Sequence, residues 1–430
     1  MKLLVVGGGG REHAIIKKLK ENPRVETVYA LPGNGGIARD AVCVPEIGAR
    51  DIEKIVDFAR SHSIDFAVVA PDDPLALGCV DRLHEAGVPC FGPDAKAARI
   101  EASKVFSKNL MKKYGIPTAR YEVFDDPARA LAYLRSGVSF PIVVKADGLA
   151  LGKGVLIPQS LEEAEAAVRS IMEDKAFGDS GNQIVVEEFL TGPEVSVLAF
   201  TDGRSIAPMA SSMDHKRAGD GDTGLNTGGM GTIAPNPCYT PEVAAECMEK
   251  IFLPTLAAMR AEGCPFKGCL YFGLMITPAG PKVIEYNCRF GDPETQVVLP
   301  LLKTDLLTVM RAVENETLGD LQVEWSDGAA ACVILASGGY PGSYPKGKEI
   351  TVPADLPANV TVYHAGDKLT ADGKLVTSGG RVLGVTAVGE TLRNALRDAY
   401  AAAERVEFEG RYMRHDIGKR ALRALDALEG

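Results

Sequence analysis

Over the first hundred residues, short apolar runs alternate with amphipathic stretches. Leu3 to Val6, Val25 to Ala30, Phe66 to Ala70 and Val88 to Phe91 read as strands. Residues 11–19, 51–60 and 77–86 read as helices between them. That alternation predicts an open, mostly parallel α/β domain. From Ser103 the pattern changes to α+β. A short helix carries Lys104, Lys108 and Lys112, whose i, i+4 spacing suggests a mainly solvated face, and it stops at Gly115-Ile-Pro117. Strands are expected at 140–145, after Gly154, at 183–190 and at 194–200. A long helix capped by Thr240-Pro241 runs to about residue 262, and a hairpin spans Leu270 to Glu285. From about residue 326, strands at Ala330–Ala336, Thr361–Ala365 and Arg381–Val388 precede an alanine-rich helix, which predicts a small α+β domain.

Polar residues interrupt this pattern at the predicted strand ends. Gly7 to Gly10 and Arg11 join the first strand to the first helix, but Glu12 stands where a dinucleotide fingerprint needs its third glycine. What remains is a helix N-terminus suited to an anion, or simply a tight turn. Pro32-Gly-Asn-Gly-Gly36 and Pro71-Asp72-Asp73-Pro74 follow the next strands, where open α/β sheets bind ligands. Lys145 ends a strand before Gly148, Gly152, Lys153 and Gly154. With no Ser or Thr after Lys153 and a strand following, this is not a P-loop but a hairpin flap able to cover polyphosphate, or an ordinary glycine hairpin.

Glu187 and Glu188 end an apolar strand, costly positions if buried without a task. Recognition of a purine nucleoside fits them; two exposed edge residues is the alternative. Residues 211–234 hold Asp214-His215-Lys216-Arg217 and Asn226-Thr227-Gly228-Gly229, a long glycine-rich loop suited to an anionic substrate. His215 could act as a base, although positioning or phosphate contact fits it better. Glu285 and Asn287, two apart on a strand, point their oxygens one way, a pair that suits a hard cation such as Mg²⁺, or is simply an exposed strand face before a Gly-Asp-Pro turn. Arg289 could add a phosphate or carboxylate fork.

The 430 residues allow two to four domains, and the net charge of −10 argues against nucleic acid as a partner. No apolar run reaches membrane-spanning length and the first residues lack a signal-peptide pattern, so a cytoplasmic protein with no membrane partner is expected. Nine scattered cysteines read as reduced, structural thiols.

The order Lys104, Lys145 with its glycine flap, Glu187 to Leu190, Glu194 and Glu285/Asn287 resembles the ATP-grasp superfamily. Six flanking motifs, among them Gly-Gly-Arg11-Glu12-His13, Asn226-Thr-Gly-Gly-Met-Gly and Asn287-x-Arg-Phe-Gly-Asp-Pro-Glu294, are similar to the phosphoribosylamine–glycine ligase family over essentially the whole chain. The resemblance implies an N-terminal α/β substrate domain over 1–102 and a two-subdomain ATP-grasp core over 103–325, with a mobile flap at about 123–194. A C-terminal domain over 326–430 would complete it. It implies ATP, glycine and phosphoribosylamine as substrates, Mg²⁺ or Mn²⁺ as cofactor, and a monomer.

By motif, Lys104, Lys145, Gly152, Lys153 and Gly154 would meet ATP phosphates, Glu187, Glu188, Phe189 and Leu190 the adenine, and Glu194 the ribose. Glu285 and Asn287 would hold metal. Arg289, Lys216 and Asp214 would be catalytic, with Asn226, Thr227, Gly228, Gly229, Gly291 and Asp292 shaping the glycine site. Gly8, Gly9, Gly10, Arg11, Glu12 and Asp72 would hold phosphoribosylamine. Against the family pattern, Gly8 stands where Ser is frequent and Asp72 where Glu is usual. The strand before Glu285 offers no second metal-binding acid. A ligase for another amino acid, or a noncatalytic nucleotide-binding subunit, are the competing readings. The loop Thr377 to Arg381 either packs on the site or merely connects strands.

Overall fold

The computed structural model of the protein describes residues 1–149 and 154–429. The N-terminal sheet has five parallel strands, in the spatial order Val42–Cys43, Thr27–Pro32, Lys2–Gly7, Phe66–Val69 and Cys90–Phe91. Because the order reverses beside the first strand, the ends of Lys2–Gly7, Thr27–Pro32 and Phe66–Val69 open into one crevice. The helix expected at 77–86 is Cys79–Glu85, which begins after Gly78 at φ 82°, and a separate short helix, Asp72–Ala76, precedes it where the sequence predicts only a Pro-Asp-Asp-Pro strand end.

The central antiparallel sheet runs Ile206–Pro208, Glu194–Asp202, Lys267–Thr277 and Gly280–Asn287. Its apolar side shares a core with the N-terminal sheet: Leu4, Val6, Ala67 and Val69 belong to one cluster with Val195, Val197, Leu270 and Phe272. The flap sheet, Tyr121–Phe124, Ile184–Glu188, Ile142–Ala146 and Val155–Leu156, closes a smaller core of its own around Phe124, Leu134, Ile142, Val168 and Ile184. A body with a private core can move as a unit.

The last sheet crosses the boundary expected near residue 325. Its order is Met213–Asp214, Gly231–Ala234, Ala329–Ser337, Arg381–Gly389 and Val360–His364, so two strands come from the middle of the chain. The glycine-rich stretch between those two strands is itself a small hairpin, Arg217–Gly219 with Thr223–Asn226. Thr240 caps its helix through Val243 N, and the helical path continues to Ala261.

One expectation fails outright. Lys108 is not on a solvated face: it is 2% exposed, beneath the flap sheet, and only Lys112 of the row is exposed. The i, i+4 spacing describes one helix stripe but not what docks against it. Among the described residues no helix is long and apolar enough to cross a membrane.

Candidate active site

A bulge sets one wall of the cleft. Gly273 pairs with Glu285 and Leu274 with Val283, leaving Ile284 as the extra residue. Strict alternation would put Val283 on the face of Glu285 and Asn287; the bulge instead sends Val283 and Tyr286 into the core and the two polar residues to the cleft. Lys216 Nζ lies 3.5 Å from Glu285 Oε1 and 4.0 Å from Glu194 Oε2. Burial works to raise the Glu285 carboxyl, but Lys216, then Lys145, Lys104 and Arg289, outweigh it and hold it at about 2. Glu285 is therefore an anion throughout the physiological range.

Lys145 comes from the flap sheet. Its Nζ is 3.0 Å from Ile284 O, the carbonyl of the bulge, and 3.0 Å from Glu187 Oε1. Lys104, at the start of its helix, donates to Gly148 O at 3.0 Å. Asp147 anchors that helix to the flap by accepting from Ser103 Oγ and Val105 N. Gly154 is buried and its carbonyl accepts from Ala146 N. Gly152 and Lys153 lie outside the described residues. Glu187 is buried between lysines, whereas Glu188 sits at the rim paired with Arg120 at 2.8 Å. Phe189 is exposed and Leu190 half-buried. The strand end thus offers its backbone and an aromatic face, not the Glu187 carboxylate.

The parallel-sheet crevice meets this wall across residues 289–296. Gly9 N and Arg11 Nε both donate to Glu12, at 2.6 Å each, which closes the first turn around a buried carboxylate. Arg11 also reaches Phe290 O at 3.1 Å, and its backbone N–H approaches Asp292 Oδ2 at 3.4 Å. Gly8 packs so closely on Gly33 O that a Cβ would collide with that carbonyl, and Gly10 faces Gln296. Arg289 Nη2 donates to the buried Glu101 at 2.9 Å, while its Nε has no partner among the described residues; Asp72 is near enough to act on both charges. Gly291 lies against Glu294, which accepts from Tyr271 OH at 3.1 Å.

The third side is the 214–231 segment. Asp214 is raised well above the ordinary carboxylate range by burial and by Glu294 beside it. Thr227 Oγ1 donates to Lys216 O and accepts from Gly229 N, so it folds the loop and holds Gly228 and Gly229 near Arg381. Asn226 pairs with Arg217 across the hairpin. His215 is buried and faces away from the cleft. Its Nδ1 bonds Gly231 O and its Nε2 accepts from Gly418 N, and burial draws it down to about 4. Both ring nitrogens are thus taken up by backbone partners, which fits the positioning role better than that of a base.

Sequence reading missed several residues that hold these walls. Glu101 and Lys108 carry no local signal beyond charge at a helical position, and Glu294 enters only as the end of a motif, with no role assigned. The loop ending at Arg381 does pack on the site: Arg381 Nη1 donates to Asp292 O at 2.6 Å and Gly229 O at 3.3 Å. Among the described residues no three His, Cys, Asp or Glu side chains converge to hold a metal by themselves. An ionised Glu285 beside the Asn287 amide does fit a hard cation that completes its shell with phosphate oxygens and water.

Known proteins match along the same order of parts. Family models describing the phosphoribosylglycinamide synthetase N domain, ATP-grasp (A) domain and C domain match residues 1–101, 102–295 and 330–420. A phosphoribosylamine–glycine ligase of Caldanaerobacter subterraneus is 49% identical over 417 residues, covering 97% of this chain and 99% of that one. A bifunctional purine biosynthetic protein of Pichia angusta is 48% identical over 98% of this chain, which spans 54% of that protein's length. The crystal structure of a phosphoribosylamine–glycine ligase from Thermotoga maritima superposes with a TM-score of 0.84 at 37% identity, covering 97% of this chain and 100% of that one. With three domain models in order and near-half identity along the whole of a single-activity relative, the chain belongs to the phosphoribosylamine–glycine ligase family.

Proposed function

We propose that this cleft joins glycine to 5-phosphoribosylamine at the expense of ATP, giving glycinamide ribonucleotide, ADP and phosphate in de novo purine biosynthesis. The observation that carries the reading is the meeting of Lys145, Lys216, Arg289 and an ionised Glu285 at the mouth of the glycine-rich crevice. Glycine carboxylate is a poor electrophile, so an amide requires its prior conversion to glycyl phosphate by the γ-phosphoryl group. Lys104 and Lys145, with the flap glycines, hold the phosphates. The 187–190 strand end receives adenine and Glu194 the ribose. Mg²⁺ or Mn²⁺, held by Glu285 and Asn287, would neutralise the phosphate charge.

Arg289 and Lys216 stabilise the charge gathered at transfer. Asp214, its carboxyl raised by burial and by Glu294, lies beside Lys216 at the glycine site. Gly228, Gly229, Gly291 and Asp292 shape that site, and the turn Gly8 to Glu12 with Asp72 holds phosphoribosylamine. Its amine attacks the acyl carbon and phosphate leaves. Closing of the flap, residues 123–194, excludes the water that would hydrolyse the intermediate. The enzyme is read as a cytoplasmic monomer that works on small molecules, without nucleic acid or membrane partners.

The test is ADP release with Mg²⁺-ATP and glycine, with phosphoribosylamine generated in the cuvette or omitted. ADP formation that needs both substrates supports the ligase. Formation with another amino acid in place of glycine would move the specificity, and none with any would leave a binding subunit.

A further inference from the structure

We infer that Lys108 is a positioning residue for the nucleotide, holding Lys145 through Glu187 and the Val283–Ile284 bulge through Thr118. The inference rests on the reading of the cleft as an ATP site.

The Lys108 ammonium is 2.9 Å from Glu187 Oε2 and donates to Thr118 Oγ1 at 2.7 Å. Thr118 Oγ1 donates in turn to Val283 O at 2.7 Å. Lys145, on the opposite oxygen of Glu187, donates to the next carbonyl, Ile284 O. Two lysines from different elements thus share one carboxylate and end on adjacent carbonyls of one bulge. That bulge turns Glu285 and Asn287 toward the cleft, so the flap sheet, the helix Lys104–Tyr114 and the metal-binding strand are joined by a single buried chain of polar contacts.

Stability alone does not account for such a cluster. Taking charges out of water costs more than pairing returns unless the geometry is very good, and here two ammonium groups divide one carboxylate. Burial draws the Lys108 ammonium down to about 8 even with Glu187 beside it. The surplus positive charge is matched when a polyphosphate lies over Lys145. Lys108 itself is too deep to touch the nucleotide, so its effect must pass through Glu187 and Thr118.

The experiment compares the full-length protein with Lys108→Met, which keeps most of the length of the side chain without its charge, and with Thr118→Val, which cuts the side-chain link from Lys108 to the bulge and leaves Glu187 paired. ADP binding is followed by calorimetry, and KM for each substrate by steady-state kinetics. Lys108→Met should weaken ADP binding and raise KM for ATP about tenfold or more, with kcat at saturating ATP within about threefold and KM for glycine unchanged. Thr118→Val should shift the same quantities by about threefold. Normal ADP binding in both variants overturns the inference, as does an equal loss toward all three substrates, which would mark plain structural damage. If Lys108→Met does not fold, Thr118→Val decides by the same criterion. A wild-type protein that binds no ADP would instead remove the ATP reading on which the inference stands.

Discussion

His13 Nδ1 accepts the backbone N–H of His364 at 2.8 Å, joining the first helix of the chain to the C-terminal sheet. Its Nε2 meets Asp40 at 2.9 Å, so the neutral ring carries its proton on Nε2. Burial, against the pull of Asp40, lowers His13 to about 4. The folded value lies below the unfolded one near 6.5, so the unfolded chain takes up the proton first. Stability is full above about pH 6.5 and falls as pH drops toward 4, by up to about 3 kcal/mol from this residue. Urea unfolding at pH 7.5, 5.5 and 4.5 measures it. His13→Gln should show a shallower decline, and an unchanged slope would clear His13 of the effect.

The Arg381 contacts to Asp292 O and Gly229 O tie the C-terminal sheet to the two loops expected to hold glycine. Both bonds leave one nitrogen, Nη1, which a lysine ammonium on its more flexible stem does not hold in the same place. Arg381→Lys should lower kcat/KM for glycine about tenfold while KM for ATP and the melting temperature stay near wild type. Equal kcat/KM in the two proteins would reduce this arginine to a strand connector.

Glu285→Gln keeps the shape of the side chain and removes the charge that Lys216 faces at 3.5 Å. Turnover should fall about a hundredfold and half-maximal activity should need more divalent cation. Because Glu285 is held at about 2, it contributes no inflection to a pH–rate profile above pH 4. A folded variant with the wild-type metal dependence would sink the metal assignment.

Gly36 lies against the His364 ring, which occupies the place of a Cβ, and its backbone N–H donates to Asp367 Oδ1 at 3.0 Å. Gly36→Ala should therefore destabilise the fold by about 1–3 kcal/mol, read from denaturant midpoints. No change would mean that this contact relaxes freely.

Much of this was legible from periodicity. The alternation of the first hundred residues gave a parallel sheet, and the spacing of Glu285 and Asn287 gave a shared face. Why Val283 is not on that face was not legible, because a bulge is a property of two paired strands and only one strand is read at a time. Lys108 was misread for a related reason: i, i+4 spacing finds a stripe, but the carboxylate that meets it lies seventy-nine residues later, on a strand of the flap sheet. The pairs Glu101–Arg289, Asp292–Arg381 and His13–His364 likewise join positions that no local pattern connects.

The sheet assembled from residues 213–234 and 329–389 bears on how the gene can be rearranged. Gly231 to Ala234 pair in register with Val333 to Ala330, so a fragment ended before residue 329 would leave a bare strand edge ready to recruit other chains. Exchange of the C-terminal segment between relatives is then not an exchange of beads on a string. A grafted segment must match that four-residue register and bring its own Arg381, or the recipient inherits a cleft with one wall missing.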